Sequence, residues 1–288
     1  MAEIINIFVI EENKTNVALM RRFGLELEFT KRSNREFLYY IITKSCPNDK
    51  VLITSWQKNI DNEEWICKTD SSCGYEVATP VFSTRNDLEK LRRVVDSLNE
   101  NGAKVDKNCG IHVHVECRDL NAHKLLRLVS YWLKSEKIIT SMFPDYRKES
   151  KFCCPLSDDL PLLAELKSCT PLKIISVFSK KRNRSMNIKH CRTRGTIEFR
   201  LMEGNLQSEN IVNWTLFCLD FYKSCLEHDK PLNFEFFDLA QFWEFMDFHK
   251  ESDESIKGIR RWIVRRIEKF SPDMREECEH AKKQLILI

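Results

Sequence analysis

The chain has 288 residues, 42% hydrophobic and 31% charged, which is enough for one large domain or two small ones with a real core. Its formal net charge of +3 gives nucleic acid and membrane surfaces no global attraction, and no apolar run approaches the roughly 20 residues that span a bilayer. Twelve scattered cysteines, with Cys153 and Cys154 adjacent, no CxxC pair and no secretion signal, read as reduced thiols of a cytoplasmic protein rather than a disulfide framework.

In chain order, Ile4–Ile10 reads as a strand or docking arm, and Phe23–Thr30 as the first acidic strand. Asn34–Cys46 has helical apolar spacing, with Ser33 or Asn34 available as cap. After a polar stretch, Trp65–Lys68 and Gly74–Thr79 read as paired strands. Thr84–Glu100 reads as an amphipathic helix ended by Asn101–Gly102. Gly110–Glu116 is the next strand, and Leu120–Met142 a core helix stopped by Pro144. The interval Asp145–Pro171 is the least regular and is a candidate lid or substrate loop. Thr196–Glu203 is a further strand. Ser208–His228 reads as a helix capped by Ser208, Phe234–His249 as an aromatic-rich helix, and the tail from Ser255 as two more. Strands with one apolar face, interrupted by helices, define an α+β fold: an antiparallel sheet with helices packed on one face, the other face open, and a helical C-terminal region.

The polar sides of three strands carry unusual chemistry. Side chains alternate along a strand, so Leu25, Leu27 and Phe29 oppose Glu26 and Glu28. In the same way Ile111, Val113 and Val115 oppose His112 and His114, and Ile197, Phe199 and Leu201 oppose Glu198 and Arg200. Same-face neighbours lie roughly 7 Å apart, close enough to bracket a metal ion. Each segment alone is also what a solvated strand face gives. Together they make an acidic, imidazole-bearing floor, and crowded carboxylates repel unless cations neutralise them. Glu76, two residues after Gly74, is the further candidate ligand. Glu26, Glu28, Glu76, His112 and Glu198 suit Mg²⁺ or Mn²⁺. Arg200 is an anion clamp suited to a phosphoryl oxygen, or else one half of a structural ion pair. Lys180–Arg194 is the most basic stretch and reads as a solvated loop, a nucleic-acid patch or a triphosphate-neutralising segment. Of only 7 glycines, Gly24, Gly74, Gly110, Gly195 and Gly204 border these segments. No GxxxxGK[ST], GxGxxG or GxSxG motif occurs, so any nucleotide must be held by metals and arginines.

At Gly24-Leu-Glu26-Leu-Glu28, Gly74-Tyr-Glu76, Cys109-Gly-Ile-His112-Val-His114-Val and Gly195-Thr-Ile-Glu198-Phe-Arg200-Leu the chain resembles the amidoligase family of the glutamine synthetase-like carboxylate–amine ligase superfamily. The resemblance spans roughly residues 20–206 and implies a curved antiparallel sheet that forms a glutamine synthetase-like funnel, with ATP entering from one end and metals on the strands. It implies that Glu28 and Glu76 hold one Mg²⁺, that Glu26, His112 and Glu198 hold a second, and that Arg200 contacts the transferred phosphate. His114 lies beside the acceptor substrate in that scheme. Asn187 matches the family's upstream asparagine, with Arg182 and Arg184 competing for its arginine. The chain departs from the family's Gly-Thr-Leu with Gly204-Asn205-Leu206.

The expectation is therefore an ATP- and Mg²⁺-dependent ligase that joins a carboxylate to an amine of a small molecule, peptide or protein side chain through an acyl phosphate. Nucleic acid and membrane are not expected partners. Residues 1–230 are expected to form the catalytic domain, and 231–288 a helical extension packed on it. The rival readings are a metal-dependent hydrolase or nuclease on the same acidic floor, and a non-catalytic anion- or partner-binding module. The helix around Ile256–Phe270, with Arg260, Arg261, Arg265 and Arg266 taken as its polar side, favours the latter.

Overall fold

The computed structural model of the chain describes residues 18–54, 63–159, 170–228, 236–246 and 254–279. Ile4–Ile10, the 160–169 part of the candidate lid and both ends of the expected Phe234–His249 helix contain residues outside these ranges.

The expected α+β architecture is present. Strands β1 (Ala18–Thr30), β2 (Val51–Thr54), β3 (Trp65–Asp70), β4 (Gly74–Ala78), β5 (Phe82–Thr84), β6 (Gly110–Glu116), β7 (Met186–Asn187) and β8 (Thr196–Glu203) form one open sheet in the order β2-β3-β4-β1-β6-β8-β7. β5 joins through β1, whose 13 residues are long enough to serve β5 at one end and β4 at the other. The sheet is mixed rather than wholly antiparallel, because β2 runs parallel to β3. β2, β5 and β7 have four, three and two residues, too short to show a period in sequence.

The helices are α1 (Arg35–Ser45), α2 (Arg85–Glu100), α3 (Ala122–Ser141), α4 (Asp145–Lys148), α5 (Pro171–Phe178), α6 (Ser208–Glu227), α7 (Leu239–Phe245) and α8 (Glu254–Phe270). In α2 the residues Leu88, Leu91, Val95 and Leu98 recur at helical spacing and are buried. Its start is fixed by a capping box between Thr84 and Asp87, and the chain leaves through Gly102 at φ +86°. Asn34 caps α1 by accepting from Phe37 N at 2.6 Å, while Ser33 accepts from Lys104 N at 2.7 Å. Ser208 does not cap α6: it is the first helical residue, and Gln207 holds the cap position without a side-chain bond. α7 starts only after Asp238, whose capping box with Gln241 sets its first turn.

The apolar parity of the strands faces these helices. Phe199 meets Trp132 of α3 at 5.3 Å and Phe221 of α6 at 6.5 Å between ring centroids. Leu25, Leu27, Phe29, Ile111, Val113, Val115, Ile197 and Leu201 are buried in the same cluster. At about 1.5–3 kcal/mol per large side chain, this parity fixes which face of the sheet remains for chemistry.

The expectation that α8 presents Arg260, Arg261, Arg265 and Arg266 as one polar side is corrected. Arg260 and Arg266 are buried, and Ile259, Ile263 and Ile267 lie in the main core. Arg266 donates to both oxygens of Glu203, at 2.7 and 2.6 Å, and to Met142 O at 2.9 Å. This fork ties α8 to the end of β8. Removing one partner strands a buried charge, so Arg266→Ala is expected to lower stability in urea by about 3–5 kcal/mol. The double change Arg266→Met with Glu203→Met should cost clearly less; equal costs would show that the pair is not what matters there.

Candidate functional site

The register of the sheet sorts the polar side chains into three rungs. In the first, Lys68 pairs with Glu76 across β3 and β4, and Glu76 with Glu28 across β4 and β1. In the second, Glu26 pairs with His112 across β1 and β6. In the third, His114 pairs with Glu198 across β6 and β8, and Glu198 with Asn187 across β8 and β7. Four segments far apart in sequence thus share one face through period-two alternation alone.

The second and third rungs converge. His112 Nδ1 lies 3.2 Å from Glu26 Oε2 and 3.4 Å from Glu198 Oε1, and His114 Nε2 lies 3.5 Å and 3.9 Å from the same two oxygens. One donor atom each from Glu26, His112 and Glu198 lies within 4.8 Å of the others, a spacing that lets them close on one ion. His114 Nε2 is buried and, among the described residues, has no well-aligned hydrogen-bond partner beyond its approach to these two carboxylates. Glu28 lies 3.7 Å from His112 Nε2 and accepts from Gly110 N at 2.6 Å. One of its oxygens also lies within 4.8 Å of donor atoms of Asp70 and Cys73, a group that does not include Glu76.

Glu76 is engaged by Lys68, whose Nζ lies 2.6 Å from Glu76 Oε1 and 3.9 Å from Glu26 Oε1. Sequence reading passed over Lys68. The available signal was its parity: Trp65 and Cys67 are core residues of one parity, so Lys68 takes the other, on the acidic face.

Arg200 ion-pairs with Glu198 two residues away on the same face, donates through Nε to Phe152 O at 3.1 Å and approaches His112 Nδ1 at 3.5 Å. Asn187 donates to Glu198 Oε2 at 2.6 Å. Arg184 does not face this cluster. It is buried against Asp159, Asp158 and Pro155 O, where it anchors the segment after α4. Arg182 is exposed.

A bulge in β8 sets the direction of Arg200. The register with β6 shifts between Ile111 and Val113, so β8 carries one residue more than β6 at this point. Arg147 fills the gap: it is 1% exposed, donating to Arg200 O at 2.6 Å and to Leu201 O at 3.3 Å. Gly110 makes room for it, since a Cβ there would lie 2.9 Å from Arg147 Nη2 and 3.1 Å from His112 Nε2. No pattern in the sequence marks Arg147, which lies in the irregular segment. That segment's described part is tied down by buried Glu136, which accepts from Leu156 N at 2.7 Å and Ser157 N at 2.8 Å.

Charge follows the geometry. Burial opposes ionisation of Glu26, but His114 and His112 overcome it and hold its carboxyl well below the usual range. Glu198 is shifted down in the same way, against burial, by His114, His112 and Arg200. His114 is raised: burial opposes its charge, and Glu26 and Glu198 outweigh it. Burial pushes Glu28 up, and burial with Glu26 pushes Glu76 up against the pull of Lys68. Lys68 keeps its ammonium, because Glu76 and Glu26 outweigh the cost of burial.

This α+β protein thus presents, on one face of its sheet, a carboxylate–imidazole cluster with a guanidinium set against it. A family model described as "Putative amidoligase enzyme" matches residues 54–222, more than half of the chain, and the chain belongs to the amidoligase family. The matched region contains Glu76, His112, His114, Glu198 and Arg200, and β1 with Glu26 and Glu28 precedes it. No curated protein matches the chain significantly.

Proposed function

We propose that the protein is an ATP-dependent carboxylate–amine ligase. The observation that carries this reading is the convergence of Glu26, His112 and Glu198 within 4.8 Å, with Arg200 set against Glu198. Two carboxylates and one imidazole fit a hard divalent ion, Mg²⁺ or Mn²⁺, and a bound ion would neutralise phosphoryl oxygens. Arg200 holds the phosphoryl group that moves from ATP to the substrate carboxylate: one carboxylate oxygen bonds to the γ-phosphorus and ADP leaves. The amine nitrogen then bonds to the acyl carbon, phosphate leaves, and a proton is lost from nitrogen. His114 lines the acceptor side, with Nε2 facing Glu26 and Glu198. Asn187 holds Glu198, and Arg184 and Arg182 lie in the basic segment that leads into β7. The chemistry is positioning and charge neutralisation, for which no side-chain nucleophile is needed. Residues up to about 230 make up the catalytic unit, with 231–288 as a helical extension.

The test is incubation with ATP, Mg²⁺ or Mn²⁺ and pooled amino acids, polyamines and peptides, following ADP and new masses. A product one water lighter than its two substrates is expected, with ADP formation falling about 10²–10³-fold in Glu198→Gln. Full turnover in Glu198→Gln would remove the assigned role. Cleavage of a substrate without ATP would instead favour a metal-dependent hydrolase on the same residues.

A further inference from the structure

Beside Arg200, the acidic face carries a second cation, Lys68. Lys68 stands on β3 directly opposite Glu76, with its Nζ 2.6 Å from Glu76 Oε1 and 3.9 Å from Glu26 Oε1. Its side chain is only 12% exposed and that of Glu76 6%, so bulk water does little to screen the pair. β3 presents Lys68 to this face by the same alternation that sends Cys67 into the core. The acidic groups with metal-like spacing are Glu26–His112–Glu198 and Glu28–Asp70–Cys73; among the described residues Glu76 belongs to neither.

We propose that Lys68 is a built-in cation that takes the place of a divalent ion beside Glu76, leaving metal binding to the carboxylates and imidazole further along the sheet. The proposal deepens the ligase reading and rests on its assignment of this face to metal binding. An ammonium offers one positive charge and three donors at a fixed place. It can neutralise Glu76 and part of the charge of Glu26 whether or not divalent ions are abundant. Two consequences follow. Glu76 is a positioning residue for Lys68 and not a metal ligand. Removal of the ammonium takes away the cation set against Glu76, which faces Glu28 across β4 and β1, and the oxygens of the two side chains are then donors that a divalent ion can share.

The measurement is Mn²⁺ stoichiometry by equilibrium dialysis, without ATP, on wild type, Glu76→Gln, Lys68→Met and the double variant, each checked for folding by circular dichroism. Glu76→Gln keeps the shape and removes a buried charge. It should bind as many Mn²⁺ ions as wild type, with affinity changed less than about threefold. Lys68→Met should bind one more ion than wild type, and the double variant should lose it. The added ion should also raise the thermal midpoint of Lys68→Met more than that of wild type, since only the folded form binds. If Glu76→Gln loses an ion, or folded Lys68→Met binds no more than wild type, the proposal is overturned. Should Lys68→Met fail to fold, the Glu76→Gln comparison decides it. ADP formation by wild type judges the ligase reading separately. An extra ion in Lys68→Met with no ADP from any pool would uphold Lys68 and sink the ligase. ADP formation with Glu76-dependent metal binding would do the reverse.

Discussion

Replacing Arg147 by methionine is expected to destabilise the protein by about 3 kcal/mol or more, because two carbonyls lose a charged donor at about 1–3 kcal/mol each. The carbonyls are those of Arg200 and Leu201, at the β8 bulge, where β6 provides fewer partners than the strand needs. Methionine roughly matches the apolar stem, so the loss reports the guanidinium rather than a cavity. Urea unfolding measures it. The same change should reach catalysis, since the bulge aims Arg200, and displacement by about 1 Å costs on the order of 10²-fold. Metal-dependent ADP formation at a temperature where the variant is folded is the second readout. If Arg147→Met unfolds at the wild-type urea concentration, the bulge does not depend on this side chain.

Arg200→Lys is the second large effect, expected to lower metal-dependent ADP formation by about 10³-fold. Arg200 currently divides its planar fork: Nε goes to Phe152 O, and Nη1 meets Glu198 and faces His112. A lysine carries the same charge, but all its donors sit on one nitrogen, so it cannot span the ion pair and a phosphoryl oxygen as the arms of a planar fork do. The loss should fall on kcat at saturating ATP, as expected of an interaction stronger in the transition state. Stability should change little, because Glu198 remains paired by Asn187. Arg200→Lys with more than about a tenth of wild-type turnover would take Arg200 out of phosphoryl transfer.

The parts of this protein legible in sequence are those governed by local periodicity. Alternation in FGLELEFT, GIHVHVE and TIEFRLME told which side chains enter the core and which share the polar face, because a strand permits only two directions. Helical spacing and caps placed α1 and α2 within a residue or two, since Asn34 and the Thr84–Asp87 box act on backbone groups only three positions away. What the tertiary structure alone decided depends on partners distant in sequence. The parallel β2, the β8 bulge and the buried fork from Arg266 to Glu203 required strand order and crossing segments to be known. Arg184 and Arg200 read alike in sequence as cations near an acidic strand. One is committed to Asp158 and Asp159, and the other to Glu198 beside His112, because a charge is assigned its role by whichever opposite charge the fold brings within about 4 Å. The same holds for Lys68. Alternation from the core residue Cys67 puts Lys68 on the acidic face, a signal that went unread, and only the register that sets it opposite Glu76 decided which carboxylate it neutralises.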